Sequence, residues 1–572
     1  MKSNILPSDF VLRTWDDIQP YYENILTLSV TTVEDLQTLI ANSCDLDDYL
    51  SEDYARRYIK QSCNTSDESA IKHYEEFVDG IQPQRTRMGD KVNKLIASSP
   101  CAEQLPQPYP LLLRGIRRSI ELFREENIPL EQEADKLSRE YVQIVSKMTI
   151  QHDGKELTMK QASQLLKEED RVVRKEIFDK MMAKRQESKD QINIILDKLI
   201  VIRNQIAKNC GFKNYAEYKH FALQRFDYSL DDVNVFHAAV AQIITPLNKA
   251  IADHREGRLG HPLKPYDFAV SVYDKTTNEC YKDPDDLVTK TVVALNKTHP
   301  DFWWFVQRLH TLKQLDLGTR KWKMPWGYNY PLSTGDSSFI FMNASTDDYG
   351  VFTMLHESWH ALHHYYTYDI KPSALRHPGS EVCEIASMAQ ELLSLDKLAA
   401  FFQNPKDYDI TILEKLEDDI LVFPWISKVD LFQQWLYTNP EHTHEQRADK
   451  RSELSEIYPY CSGIGSYDAW AGEYEQALAC RWQNQIHVFE YPLYYIEYAI
   501  AGLAAIAMRK NYLENPHQWV EDYINLLKVG NTKPMPKIFE AGGLKFDFSK
   551  EYVQNLMDFM QSKLQECYAK IG

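Results

Sequence analysis

The sequence predicts a mainly α fold with one small β-sheet. Two observations carry this. Apolar residues recur at helical spacing through most of the 572 residues. Only residues 314–343 break the pattern, where Gly318, Pro325, Gly327, Pro331 and Gly335 punctuate short β-type runs. A chain of this length can hold two or more domains and bury a large cleft.

Taken in order, residues 9 to about 100 give several amphipathic segments, broken near Ser29-Val-Thr-Thr and at Gln82-Pro. The stretch from Ala97 to Pro110 is proline-rich and reads as a linker. It divides an N-terminal helical domain, 1–110, from a larger domain, 111–572. Long charged helices follow, among them Glu131 to Ser146 and Met159 to Ile206. After the glycine- and proline-rich region, Phe339-Ile-Phe-Met-Asn343 reads as a strand. Ser345, Thr346, Asp347 and Asp348 then supply N-cap residues and first-turn acids. From Tyr349 to Tyr368 there is no proline, and the one glycine, Gly350, falls in the first turn. Pro372 marks the stop. Pro378-Gly379-Ser380 breaks the chain again and caps a further helix. The turn Cys461-Ser-Gly-Ile-Gly-Ser466 reads as a mobile loop over a cleft or as an ordinary helix connection. No internal repeat and no low-complexity tract is present.

The helix after the strand carries the chemistry. Residues 356–360 read His-Glu-Ser-Trp-His. Two histidines four apart lie one turn from each other on one helix face. That spacing places His356 and His360 on a single divalent metal, with Glu357 beside it to take a proton from water. A catalytic zinc site needs a third protein ligand. A metzincin would have glycine at 363 and histidine at 366; the chain has His363 and Tyr366, which excludes that class. In the next helix Val382, Ile385, Ala389 and Leu392 form an apolar stripe, while Glu384, Ser387 and Glu391 share another face. Glu384 is the expected third ligand, and Glu391 a carboxylate behind a ligand imidazole. Glu381, at the helix start, is the rival. His363, His364 and His377 read as packing or solvent histidines, one of them a candidate to line the cleft. Cys383 points about 100° from Glu384 on the helix and reads as a buried thiol.

The run F-I-F-M-N, then T-M-L-H-E-S-W-H-A-L-H and C-E-I-A-S-M-A-Q-E, resembles the oligoendopeptidase F and thimet oligopeptidase family of zinc peptidases. The resemblance extends to Arg203-Asn-Gln-Ile-Ala-Lys-Asn-Cys-Gly211 with Tyr215, to Arg225-Phe-Asp-Tyr228, to Leu263-Lys-Pro-Tyr-Asp267, and to the stretch from His487 to Gly502. It covers most of the chain from about residue 110 onward. It implies a large helical zincin of the gluzincin type, with a small sheet beside the zinc helix. It also implies a deep channel that admits short unstructured peptides. His487, Tyr491 and Tyr498 are, by resemblance, its substrate-binding and oxyanion residues. Tyr491 and Tyr498 are seven apart and share a face if their helix is continuous. An edge strand at Phe339–Asn343 could pair with an extended peptide. One departure stands out: the family has glycine before the second histidine, and this chain has Trp359, whose indole must find room or reshape the cleft wall.

The expected function is that of a metalloendopeptidase using one Zn2+ ion, held by His356, His360 and Glu384, with Glu357 as general base. The competing readings are a non-catalytic peptide-binding protein on the same scaffold, with Trp359 blocking the productive geometry, and a helical scaffold whose motif is accidental. A net charge of −18 argues against nucleic acid and anionic membrane surfaces as partners. The longest apolar stretch, Ile496 to Met508, is interrupted by Glu497 and is too short to span a bilayer. Met1-Lys-Ser-Asn-Ile-Leu-Pro7 does not read as a signal peptide. Nine cysteines without C-x-x-C pairing suit reduced thiols in a cytoplasm.

Overall fold

The computed structural model describes all residues except 2, 300–301, 325 and 462–466. The cleft loop expected within Cys461–Ser466 therefore lies outside the described residues. The chain is helical almost throughout, as its periodicity predicts, with a two-stranded hairpin and a three-stranded sheet.

The N-terminal helices enclose a core of their own, built on Ile18, Leu39, Leu50, Phe77 and Val92. The longest of them, Val33–Cys63, opens on a reciprocal cap. Thr32 Oγ1 accepts from Asp35 N at 3.1 Å, and the Asp35 carboxylate accepts from Thr32 N at 2.9 Å. The proline-rich stretch after 97 is no free tether, because Cys101, Ala102 and Leu105 are buried in this core. So are Leu113 and Ile116 of the helix Tyr109–Leu122. We propose that the division between the two units falls after that helix rather than at residue 110.

Beyond it, the single helix expected from Met159 to Ile206 is broken. Strands β1 (Thr149–His152) and β2 (Lys155–Thr158) form a hairpin first. Asp153 and Gly154 turn it, at φ 49° and 72°. That Asp-Gly pair between β-type runs was the available signal. Helices Met159–Gln164, Arg171–Gln186 and Lys189–Asn209 follow. Asp170 starts the second of these by accepting from Val172 N at 2.8 Å, an N-cap where continuous helix was expected.

The sheet has the order β3 (Leu315–Gly318), β5 (Ser337–Ala344), β4 (Tyr328–Leu332). β5 pairs parallel with β3 and antiparallel with β4, Tyr328 lying opposite Phe341 and Leu332 opposite Ser337. The strand expected at an edge is thus the central one. Its unbroken apolar run, buried almost along its length, suits a strand covered on both faces. The free edge beside the cleft is β4. The Val33–Cys63 helix backs β4 closely: buried Glu52 accepts from Thr334 N at 2.8 Å, and Tyr58 packs on Tyr328 and Tyr330.

The motif helix runs Asp348–Thr367 and the acidic helix Ser380–Leu393. Asp347 caps the first through Gly350 N. A side chain at 350 would collide with the Tyr281 hydroxyl and the Ser345 carbonyl, so only glycine fits there. Trp359 does not shape the cleft. Its ring is fully buried in the main core, 4.5 Å and edge-on to Phe302 and 5.0 Å from Tyr523. Neighbouring elements supply the room that glycine would otherwise leave. Trp359→Ala should therefore cost about 3–5 kcal/mol, read as a lower urea midpoint with an unchanged slope.

Candidate active site

Along the motif helix, His356, Glu357, His360, His363, His364 and Thr367 face one cavity of about 430 Å³. The acidic helix packs across it and brings Glu384 to the two histidines. His356 Nε2 and His360 Nε2 lie 3.2 Å apart; Glu384 Oε2 is 3.4 Å from the first and 3.6 Å from the second. Tetrahedral zinc with bonds of about 2.0–2.2 Å spaces its ligand atoms roughly 3.4 Å apart. The three donor atoms thus form one face of such a tetrahedron, and they fit a single divalent ion. No other described group of three His, Cys, Asp or Glu side chains converges in this way.

The donor chemistry agrees. His356 Nδ1–H donates to Glu391 at 2.8 Å, so the ring in its neutral form, the one that ligates a metal, keeps its lone pair on Nε2. Lys415 grips the other Glu391 oxygen at 3.0 Å. Glu384 accepts from the Ser387 hydroxyl at 3.2 Å and from the Tyr494 hydroxyl at 2.8 Å. Burial works to raise its carboxyl, yet His356, His360 and Tyr494 hold it at about 2. Burial also works to lower His356, and the carboxylates of Glu384 and Glu391 overcome it, raising the imidazole well above its ordinary value. The pocket is built to attract positive charge. Glu357 stands apart: burial and the nearby carboxylates raise it to about 7, and its Oε2 has no partner.

The rival carboxylate is occupied elsewhere. Glu381 accepts from the Tyr228 hydroxyl at 2.5 Å, beside Arg225 and away from the donor triangle. Cys383 is half-buried and lines the cavity rather than the core. All three of His363, His364 and His377 line it.

The opposite wall comes from the segment 486–498. A short helix, Ile486–Phe489, ends before Pro492, and the next, Ile496–Glu514, begins after Leu493 has taken φ 62°. Tyr491 and Tyr498 therefore do not share a continuous helix; proline removes the backbone donor it would need. Tyr491 sits at the mouth, 52% exposed. Tyr498 stays inside with His487. Gln485 Nε2–H donates to His487 Nδ1 at 2.7 Å. The ring, pushed down to about 4 by burial, is neutral and carries its proton on Nε2. That proton points to the Tyr498 oxygen at 3.3 Å, leaving the tyrosine hydrogen free for the cavity.

Two buried arginines hold this wall. Arg203 donates to the Tyr437 hydroxyl at 2.8 Å and to the Val488 and Phe489 carbonyls. Arg225 donates to the Leu493 carbonyl and to Glu497, each at 2.8 Å. The sequence reading marked both stretches by resemblance but had no physical task for them. Nothing in the sequence spacing marks Tyr494, Lys415, Arg376 or residues 327–331, which the tertiary fold brings to the site.

Two family models match the chain. That of peptidase family M3 covers residues 164–558, more than half of it, and that of the peptidase M3 N-terminal domain covers residues 9–123. The chain belongs to peptidase family M3. Oligopeptidase PepF of Bacillus subtilis (strain 168) is 22% identical over 416 residues, 72% of this chain and 60% of that protein. The oligoendopeptidase F homolog of Borreliella burgdorferi is 22% identical over 413 residues, 70% of this chain and 66% of its own length. The matched stretch thus spans less than two thirds of either curated relative. The solved structure of PZ peptidase A with inhibitor 2 superposes with a TM-score of 0.91 at 24% identity, over 98% of this chain and 99% of that one. The M3 fold, including its N-terminal helices, is therefore shared nearly end to end. No helix among the described residues is long and apolar enough to cross a membrane.

The triangle yields a direct check. Glu384→Ala should abolish metal binding by elemental analysis. Glu381→Ala should keep one equivalent and lower only stability, since it orphans the buried Tyr228 hydroxyl.

Proposed function

We propose that this M3-family chain is a zinc metalloendopeptidase that cleaves internal bonds of short unstructured peptides. The observation that carries the reading is the donor triangle of His356, His360 and Glu384, with an unpartnered Glu357 beside it in the cavity. Its N2O donor set and tetrahedral spacing favour one zinc ion. The names of the two curated relatives, an oligopeptidase and an oligoendopeptidase F homolog, point the same way. So does the size of the cavity, about 430 Å³ between the two site helices, β4 and the N-terminal Tyr58, which is far too small for a folded domain.

A metal ion held by these ligands supplies a Lewis acid that polarises a carbonyl and acidifies water. The rest is the work of the chain. The β4 edge pairs with the peptide backbone and fixes its direction. Glu357, raised by burial into the range useful for proton transfer at neutral pH, takes the proton of the attacking water and delivers it to the leaving amine. The Tyr498 hydroxyl, oriented by His487, donates to the oxygen that becomes negative, and Tyr494 steadies Glu384. Tyr491, at the mouth, contacts substrate farther out. The non-catalytic alternative depended on Trp359, which lies in the core and not in the cavity. All nine cysteines are unpaired, which suits the reducing cytoplasm we assign to it.

A digest of an unstructured peptide library by the zinc-loaded chain, read by mass spectrometry, tests the activity; internal cuts are expected. Glu357→Gln should retain zinc and lose at least about 10² in cleavage rate. Near-normal cleavage by that variant would falsify the base assignment. Tyr498→Phe should lower kcat by up to about 10²–10³ with little change in KM, whereas a rise in KM alone would mean uniform substrate binding.

A further inference from the structure

The cavity does not end at the donor triangle. It continues one turn along the motif helix, where His363, His364, Arg376, His377 and Asn329 form its wall. His363, His364 and Arg376 are 4%, 3% and 2% exposed. Each presents a buried nitrogen without a partner: His363 Nε2, His364 Nδ1 and Arg376 Nε. The Asn329 side-chain oxygen is orphaned as well. Buried polar atoms are normally satisfied, and each one left bare costs about 1–3 kcal/mol. Four in one wall, none used by the chemistry above, ask for a ligand that meets them.

Their hydrogen-bonding capacity defines that ligand. His364 Nε2 lies 3.0 Å from the Gly335 carbonyl, which can only accept, so Nε2 carries the proton. Burial, and then the neighbouring histidines, push His364 down to about 4 and His363 to about 3, so both rings are neutral. His364 Nδ1 is then a bare acceptor, and the Asn329 oxygen is another. Arg376 spends Nη1 on Asp48 and the Ser333 carbonyl, at 3.3 and 3.0 Å, and keeps Nε–H as a donor. A carboxylate would meet the Arg376 guanidinium, which Asp48 already pairs, and would still face two bare acceptors. An ammonium would face Arg376. An apolar side chain would leave all four atoms bare. A neutral group that both donates and accepts satisfies them.

Building on the proposed peptidase activity, we infer that this wall is a substrate subsite selecting a neutral polar side chain, with the carboxamide of Gln or Asn as its best occupant.

The test uses the zinc-loaded chain and quenched fluorescent peptides in which each position near the cleaved bond carries Gln, Met, Glu or Lys in turn. At one position kcat/KM for Gln should exceed that for Met, Glu and Lys by at least about tenfold, the equivalent of one satisfied buried group. His363→Leu should narrow or invert the Gln-to-Met ratio with zinc content unchanged. A flat profile, or a preference for Met, Glu or Lys at every position, overturns the inference, and the wild-type scan alone decides it if the variant does not fold. The same series read as Kd on Glu357→Gln needs no turnover. Absence of cleavage would thus count against the proposed activity, while the order of Kd values still decides the subsite.

Discussion

Three lone pairs aimed at one point in a buried wall repel one another, and much of this fold exists to hold them there. His356 Nε2, His360 Nε2 and Glu384 Oε2 come within 3.2–3.6 Å of one another, and in the neutral, ligating form of both rings no proton lies between them. Two of the three are fixed from behind. Glu391, itself clamped by Lys415, sets the His356 ring; Ser387 and Tyr494 set Glu384. A second layer of this kind orients ligands and fixes their tautomers. Two helices joined by a short connection supply all three donors, so their packing is the primary constraint, and Trp359 serves it by anchoring the motif helix in the core.

The wall opposite has no such local logic. The segment around His487 is bent by Pro492 and by Leu493 at positive φ, and little of it is regular helix. Backbone groups freed by a bend must find partners elsewhere. Arg203, on a helix, and Arg225, in a loop, provide them, taking carbonyls on either side of Tyr491 from chain more than two hundred residues away. A planar guanidinium with several fixed donors suits that task better than an ammonium. This wall is thus suspended from buried cations, and its geometry relative to the donor triangle is set by long-range contacts.

That contrast explains what was legible in the sequence. His356, Glu357 and His360 on one helix, and Glu384 and Glu391 on the next, are spaced by helix period, and only the packing of the two helices had to be supplied. The glycine- and proline-rich region did become the sheet. What failed was whatever depended on partners. β5 is central and not an edge, because strand order is a tertiary property. Tyr491 and Tyr498 part company at a proline whose effect the tyrosine spacing concealed. The hairpin at Asp153-Gly154 was overridden by the helical signal around it. Trp359 looked like an obstacle because its pocket is made by Phe302 and Tyr523, which no local pattern joins to it.

The division between local and distant also separates chemistry from recognition. The proposed proton-transfer and metal-binding groups lie within residues 356–391. The surfaces that would meet a peptide come from β4, from the 486–498 segment and from the N-terminal unit. The last is no passive lid. Glu52 holds Thr334 just beyond β4, Asp48 holds Arg376, and Tyr58 packs against the strand itself. Displacing the N-terminal helices would shift the edge that orients substrate and loosen Arg376 in the polar wall, while leaving the donor triangle intact. Substrate choice can therefore vary through the N-terminal unit with the catalytic core conserved, because the two are held by different sets of contacts.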